Sequence, residues 1–342
     1  MKKNRFESIG VYTPSNIVST KELIARMKVA PLFDLEDLTG IKNRRHRSKE
    51  EDSYSIALAA AKDCLKRSSY KASDLDIVIY TSISRFKDGF KYIFEPSFSG
   101  YLRNEIGAIN SMNYDILNAC AGMMSGAYIL DSLIKAGIVR NGMVISGECI
   151  SPIADTAIKE ICEPIDDQFA SLTVGDAGAA FIMDCSPDQS EGIDFIEFVT
   201  LAEYSNLCFG MPSKKHEGVA MYTKAIELHG VAIKSLPVLV SEYIFKKNKM
   251  SQYSFDYVVP HQTSMRAIRS GMKTCNEYFS PLPEILYVIQ DFGNTASTSH
   301  FVVLYNHLKE KKLKKNCRLL LMSQASGIVM GFLSMTIKSL EV

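Results

Sequence analysis

The stretch Asn118-Ala119-Cys120-Ala121-Gly122 decides how this chain folds. A short apolar strand, Tyr114-Asp115-Ile116-Leu117, runs into it, and a pattern rich in small residues, Met123 to Ala136, leaves it as a predicted helix. A strand that feeds a helix through a cysteine places the sulfur at a corner, where the N–H groups of a helix start point at it. Such a setting is expected to favour thiolate over thiol. Ala119, Ala121 and Gly122 leave room for a substrate to reach the sulfur. Two later segments, Val259-Pro260-His261-Gln262 and Phe292-Gly293-Asn294-Thr295, supply the polar partners that an acyl-transferring thiolate needs.

Around that corner the chain reads as alternating strands and helices. Lys21 to Lys28 and Ser53 to Ser68 are predicted helices, the second with an alanine face suited to close packing. Asp76 to Tyr80 and Gly142 to Ser146 are predicted buried strands, and Phe98 to Ile106 a helix. Alternation of this kind argues for a helix-covered, parallel sheet. Pro152 to Phe169 reads as an irregular excursion. Leu172 to Ala180 reads as a strand with a tight turn, and Ser186 to Glu191 as a polar linker. The theme then returns: a long helix at Thr223–Lys246, a strand ending at Pro260-His261, a helix at Thr263–Asn276, a helical pattern opened by Asn294, and closing strands at Cys317–Met322 and Ile328–Ile337. No direct sequence repeat is visible, so the return suggests a duplication without demonstrating one.

Composition narrows the class. The 342 residues suit two domains or one large α/β unit; 46% are hydrophobic and 23% charged, as in an ordinary enzyme. A net charge of +1 gives no reason to expect nucleic acid or an anionic membrane as a partner. No run of about 18 apolar residues occurs, so no transmembrane helix is expected. The basic start has no apolar signal core behind it. The eight cysteines form no CxxC pair, which supports neither a zinc site nor a dithiol motif, and most read as small buried hydrophobes in a reducing cytoplasm. No metal or cofactor is expected.

Each polar residue has an ordinary reading as well. Cys120 alone is more often a buried structural thiol. His261 alone is a satisfied residue at a strand end, and Asn294 a helix N-cap. Together they form a coherent acyl-transfer set, because histidine and asparagine can both donate hydrogen bonds to one thioester carbonyl and stabilise the enolate derived from it.

With these residues in view, the chain resembles the thiolase superfamily, close to the β-ketoacyl-acyl-carrier-protein synthase III group, over nearly its whole length. The resemblance is carried by Thr39-Gly40-Ile41, Asn118-Ala119-Cys120-Ala121-Gly122, Val174-Gly175-Asp176-Ala177-Gly178-Ala179, Pro260-His261-Gln262 and Gly293-Asn294-Thr295, in that order and spacing. It implies an α/β, thiolase-like five-layered αβαβα fold of two similar halves: residues 1–185 with the nucleophilic cysteine, and 186–342 with the histidine and asparagine. It implies a homodimer, Cys120 as the acylated nucleophile, and His261 and Asn294 acting on the carbonyl of the second substrate. The oxyanion hole would be the N–H of Cys120 with that of Ser326, in the loop Gln324-Ala325-Ser326-Gly327. Acyl-carrier protein or coenzyme A thioesters would be the partners. Arg266 matches the family's carrier-docking arginine, although a solvated helix cation would look the same.

Two departures matter. Relatives that take acetyl-coenzyme A carry a tryptophan and an arginine ahead of the Thr-Gly-Ile motif; this chain has no tryptophan, with Asp34 and Leu38 at those places. Glu95, in Phe94-Glu95-Pro96, resembles the glutamate of the 2-alkyl-3-oxoalkanoate synthases, which reaches the partner subunit's cysteine and acts as base. An acid at a helix start is its ordinary alternative. The expected activity is condensation of two acyl thioesters through an acyl-Cys120, in specialised fatty-acid or polyketide-type biosynthesis, with Glu95 enolising a second substrate that has no carboxylate to lose. The alternatives are decarboxylative condensation with malonyl-carrier protein, or cysteine-dependent transfer to an alcohol or amine.

Overall fold

The computed structural model describes residues 2–88, 91–163 and 165–342; Met1, Gly89, Phe90 and Pro164, the last within the Pro152–Phe169 excursion, lie outside them. Two five-stranded sheets organise the chain. The first comprises β1 (Asn4–Tyr12), β2 (Ile77–Tyr80), β3 (Met112–Asp115), β4 (Asn141–Glu148) and β5 (Ala177–Cys185), in the spatial order β1-β5-β4-β2-β3. The second comprises β6 (Gly192–Thr200), β9 (Tyr257–Pro260), β10 (Glu284–Ile285), β11 (Cys317–Ala325) and β12 (Val329–Ile337), ordered β6-β12-β11-β9-β10. Between β6 and β9 lies a separate antiparallel hairpin, β7 (Cys208–Pro212) and β8 (Val219–Thr223).

The two orders are the same: first strand, fifth, fourth, second, third. The pairing senses match too. In each sheet the first and fifth strands and the fifth and fourth are antiparallel, while the second strand runs parallel to the fourth and the third. The duplication suggested by the sequence is therefore explicit in the topology.

Helices cover the faces of the sheets, which is why β2 and β4 are buried along their whole length, β2 and the Met143–Ile145 centre of β4 reading as apolar runs. Helices α1 (Ser53–Arg67) and α2 (Phe98–Ile106) pack on the outer face of the first sheet through Ala57, Ala60, Cys64, Phe98 and Leu102. Between the sheets lie α3 (Gly122–Lys135) and α7 (Ser299–Lys309). Met123, Ala127 and Leu130 of α3 join Phe301 and Leu304 of α7, with Phe181 of one sheet and Leu321 of the other, in a single central core. On the far face, α5 (Ala225–Leu239) and α6 (Met265–Tyr278) pack through Leu239, Ile268 and Met272. The layers are helix, sheet, helix, sheet, helix.

Three expectations change. The supposed irregular excursion contains a helix, α4 (Ser151–Glu160), with proline in its first turn and Ala154, Ala157 and Ile158 on its buried face. Its acids sit on the helix and after it, which masks the apolar spacing in the sequence. The helical pattern expected from Asn294 starts two residues later: Asn294 itself bridges to Val174, a single 3₁₀ turn spans Ala296–Thr298, and α7 follows directly. The stretch Ala225–Lys247 is, by length and composition, apolar enough to cross a membrane, although no 18-residue apolar run exists. Here α5 forms its first part and a π-helical segment, Val240–Lys247, its second, with Leu239, Val240 and Ile244 packed in the outer core.

Candidate active site

Strand β3 ends at Asp115, and the chain turns sharply at Ala119, whose φ of 44° is left-handed, before a single turn at Ala119–Ala121 leads into α3. Asn118 secures the corner by donating from Nδ2 to Ser125 Oγ on α3 at 2.8 Å. Cys120 thus stands where strand meets helix. Its electrostatics run opposite to the expectation. Burial, with smaller effects from the Glu148 carboxylate and the Cys208 thiol, pushes the Cys120 thiol well above its ordinary value. Desolvation outweighs the helix start, so Cys120 rests as a thiol.

The Asn294 turn is built from two motifs meeting backbone to backbone. The Asn294 N–H donates to Thr173 O at 2.8 Å, and the Gly175 N–H donates to Asn294 O at 3.0 Å. A Cβ at Gly175 would lie 2.2 Å from Phe292 O, and one at Gly293, whose φ is 67°, would lie 2.8 Å from Thr173 O. Only glycine allows that approach. Asn294 Oδ1 accepts the Ala296 N–H at 3.0 Å, so Nδ2 is the side-chain group left to donate.

His261 follows β9. Its N–H donates to Met322 O of β11 at 2.8 Å. The side chain is buried, and burial pushes its pKa down to about 3, with His300 adding in the same sense. His300, on the first turn of α7, stacks on it with ring centroids 5.8 Å apart and donates from Nε2 to the same Met322 carbonyl at 3.0 Å. Among the described residues His261 Nδ1 is buried without a hydrogen-bond partner, whereas Nε2 is not enclosed in this way. A neutral ring protonated on Nε2 is a hydrogen-bond donor, not an acid.

Two buried carboxylates hold these pieces. Glu148, at the end of β4, accepts from Ser82 Oγ at 2.9 Å, from Ile83 N–H at 3.2 Å and from Ser297 Oγ at 2.5 Å, tying the end of β2 to the Asn294 turn. Asp176 accepts from the N–H groups of Arg47, Ile150 and Ser151, each at 2.7 Å, and from Ser151 Oγ, fixing the start of α4. Burial raises both acids. The Cys120 turn packs against the turn Ala296–Thr298 and the end of β11, where Ala121, Ala325 and Val329 form a small cluster around it. Beyond β11, Ser326 Oγ donates to Cys208 Sγ at 3.1 Å. Among the described residues, no group of three or more His, Cys, Asp or Glu could hold a metal ion.

A family model for 3-oxoacyl-[acyl-carrier-protein] synthase III matches residues 114–203, and its C-terminal companion matches residues 245–337, so the matches run through both the cysteine corner and the histidine and asparagine segments. The chain belongs to the synthase III family. The β-ketoacyl-[acyl-carrier-protein] synthase III of Aquifex aeolicus is 27% identical over 326 residues, which cover 94% of this chain and 96% of that protein. The solved structure of the synthase III from A. aeolicus VF5 superposes with a TM-score of 0.82 at 24% identity, covering 98% of this chain and all of that one. Cerulenin-bound OleA from Xanthomonas campestris superposes with a TM-score of 0.86 at 21% identity, covering 98% and 97%. The fold is the thiolase fold of these proteins, and as a synthase III the chain is an acyl-thioester condensing enzyme.

Within this synthase III, two further residues singled out in the sequence stand apart from Cys120. Glu95 is exposed and makes no hydrogen bond or ion pair with a described residue. It precedes α2 beside the open edge of β3: Asp115 accepts the N–H groups of Phe98 and Ser99, and Asn113 donates to Ser97 Oγ. Arg266 is exposed on the first turn of α6, in line with exposed Arg269 and Lys273. Asp34 caps the short helix Leu35–Thr39 by accepting the Asp37 N–H at 2.9 Å. Sequence reading missed Glu148, Ser297, His300 and Cys208. Only Glu148 left a signal, as an acid closing a strand whose centre, Met143-Val144-Ile145, is apolar.

Proposed function

We propose that this synthase III joins two acyl thioesters through an acyl-Cys120 intermediate, with His261 and Asn294 donating to the carbonyl of the second thioester. The observation that carries the reading is donor geometry: Asn294 Oδ1 is occupied by Ala296 N–H, and His261 is held neutral. Both side chains are therefore donors, as stabilising a developing enolate oxygen requires. In the first half-reaction the Cys120 sulfur attacks the donor thioester, the carrier leaves as thiol with the cysteine proton, and the N–H groups of Cys120 and Ser326 receive the tetrahedral oxyanion. In the second, the enolate carbon attacks the acyl-cysteine, the Cys120 sulfur departs and is reprotonated, and a β-keto thioester is released.

Glu95 is the base for that enolisation, supplied across a homodimer. Support comes from the edge strand β3, which lacks a neighbour on one side and exposes Met112 and Tyr114, with Leu117 just beyond it. Two copies meeting along that edge would bring Glu95 toward the strand that leads to the partner's Cys120. The cationic line Arg266, Arg269 and Lys273 suits docking of a carrier protein and its phosphate. The dividing line between the halves is placed at 185/186, between β5 and β6. A role in specialised fatty-acid or polyketide-type biosynthesis follows from the use of a second substrate without a carboxylate.

The test separates the half-reactions. Intact-protein mass after incubation with acyl thioesters should show loading of the wild type, His261→Ala and Asn294→Ala, and none of Cys120→Ala. Product formation should fall about 10²–10³-fold in each of the two donor variants. Persistent loading of Cys120→Ala, or loss of loading in both donor variants, overturns the assignment.

A further inference from the structure

Strands β11 and β12 pair up to Ala325 and Val329 and are joined by Ser326-Gly327-Ile328. Two of these three residues are left-handed, Gly327 at a φ of 80° and Ile328 at 47°. A β-branched residue is costly there and persists only where its surroundings over-determine it. Ile328 is held in that way: its side chain is buried in the outer core, and its carbonyl accepts the Leu201 N–H at 3.1 Å. Ser326, at the other end of the loop, is half-buried, and among the described residues its N–H has no acceptor. It directly follows Ala325, which packs with Ala121 and Val329 against Cys120. A free N–H at this place can serve an oxyanion only if its direction is fixed, to within about 0.5 Å.

The fixing comes from outside the sheet. Cys208 opens β7 and stands opposite Thr223 at the end of β8. Ser326 Oγ donates to Cys208 Sγ at 3.1 Å, and Cys208 Sγ lies 3.3 Å from Thr223 Oγ1. With the sulfur accepting from Ser326, its S–H is free to donate to Thr223. The Thr223 N–H in turn donates to Asp167 O at 2.7 Å, and the Lys224 N–H to Leu207 O at 2.9 Å. The far end of the hairpin is tied down by Ser213 Oγ, which donates to Glu160 of α4. The hairpin is therefore pinned at both ends, and Cys208 joins it to the loop beside Cys120.

We propose that Cys208 is a positioning residue for acyl transfer to Cys120: by accepting from the Ser326 hydroxyl, it holds the Ser326 N–H on the thioester carbonyl as the tetrahedral oxyanion forms. The role rests on the reading of that N–H as an oxyanion donor. Removing such a donor outright costs about 10²–10³-fold in rate, and releasing its anchor costs part of that.

The test measures two quantities on the full-length protein. The first is hydrogen exchange of the segment 324–330, read without substrate. The second is single-turnover loading of Cys120, followed by intact-protein mass over a range of acetyl- or decanoyl-pantetheine concentrations. Cys208→Ala and Ser326→Ala should each speed exchange and lower the maximal loading rate at least about tenfold, with little change in the half-saturating concentration. The double variant should load no more slowly than the slower single, because one bond is lost in all three. Cys208→Ser keeps an acceptor and should recover most of the rate. Melting temperatures show which variants are folded; if Cys208→Ala is not, Ser326→Ala breaks the same bond from the half-exposed loop. Exchange unmoved in the folded alanine variants, or losses that multiply in the double variant, overturns the anchor. Faster exchange with loading at the wild-type rate overturns instead the reading of the Ser326 N–H as an oxyanion donor, and the role of Cys208 with it. Wild-type protein that loads neither thioester overturns acyl transfer to Cys120 itself.

Discussion

Cys120 rests as a thiol and His261 as a neutral imidazole, with the thiol's pKa raised and the imidazole's lowered by the same cause, removal from water. No thiolate–imidazolium pair forms, and attack must be coupled to departure of the thiol proton. Alkylation of Cys120 by iodoacetamide, followed by mass spectrometry, should therefore keep rising about tenfold per pH unit from 7 to 9, with no plateau near neutrality; a plateau below pH 8 would show an activated thiolate. Glu95 makes a second prediction at this scale. If it serves the partner's Cys120, Glu95→Gln and Cys120→Ala proteins are each inactive in condensation, yet their co-expressed mixture contains hybrid dimers with one complete site, giving about a quarter of wild-type activity. Co-expression that restores nothing would leave Glu95 as a helix-start charge. Cys120, His261, Asn294 and Glu95 can be singled out as candidates in the sequence because each stands in a recognisable motif at an expected strand end or helix start. Glu148, Ser297 and His300 cannot, because their partners lie far away in sequence and meet only once both sheets are in place.

At the scale of elements, the glycine motifs Val174-Gly175-Asp176 and Gly293-Asn294-Thr295 turn out to be two sides of one contact. The sequence showed small residues and implied a tight turn; it could not show that the turn presses on the loop 118 residues downstream (175 to 293). Gly293→Ala would face both a left-handed φ and the Thr173 carbonyl, so the Asn294 turn must move. The expected outcome is a loss of about 1–3 kcal/mol in urea unfolding, with acyl loading retained and condensation reduced as far as in Asn294→Ala. Condensation at the wild-type rate would mean that the turn tolerates the shift and that Asn294 Nδ2 needs no such precise support. Helix α4 shows the opposite limit of sequence reading. Its apolar face is short, its first turn holds a proline, and its start is fixed by the distant Asp176 carboxylate instead of by a local cap.

For the whole molecule, the shared strand order of the two sheets leaves a central layer, α3 and α7, whose first turns (122–127 and 299–304) are buried, and His300 sits there with no exposed surface. Alternating strands and helices made the α/β class legible, but only the pairing reveals that the sheets are copies, since their sequences have diverged beyond a visible repeat. Burial at this depth ties stability to pH. The His300 pKa is pushed down to about 4 from the ordinary 6.5. Between those values the unfolded chain binds a proton that the native chain does not, so His300 makes the protein less stable as pH falls through that window and contributes nothing of this kind above it. His261 and His46 act in the same sense, while the raised acids Glu148 and Asp176 act in the opposite one. A single-protein curve therefore mixes opposing terms, and the difference between two proteins isolates one. His300→Phe keeps an aromatic ring against His261 and removes the titrating group. Urea unfolding at pH 5.0, 5.75 and 6.5 should show stability falling with acid less steeply in the variant, by about 1 kcal/mol per pH unit on average, whatever the offset between the curves. Parallel curves would mean that His300 is already protonated in the native protein, and with it that the central layer admits a charge against the His261 ring.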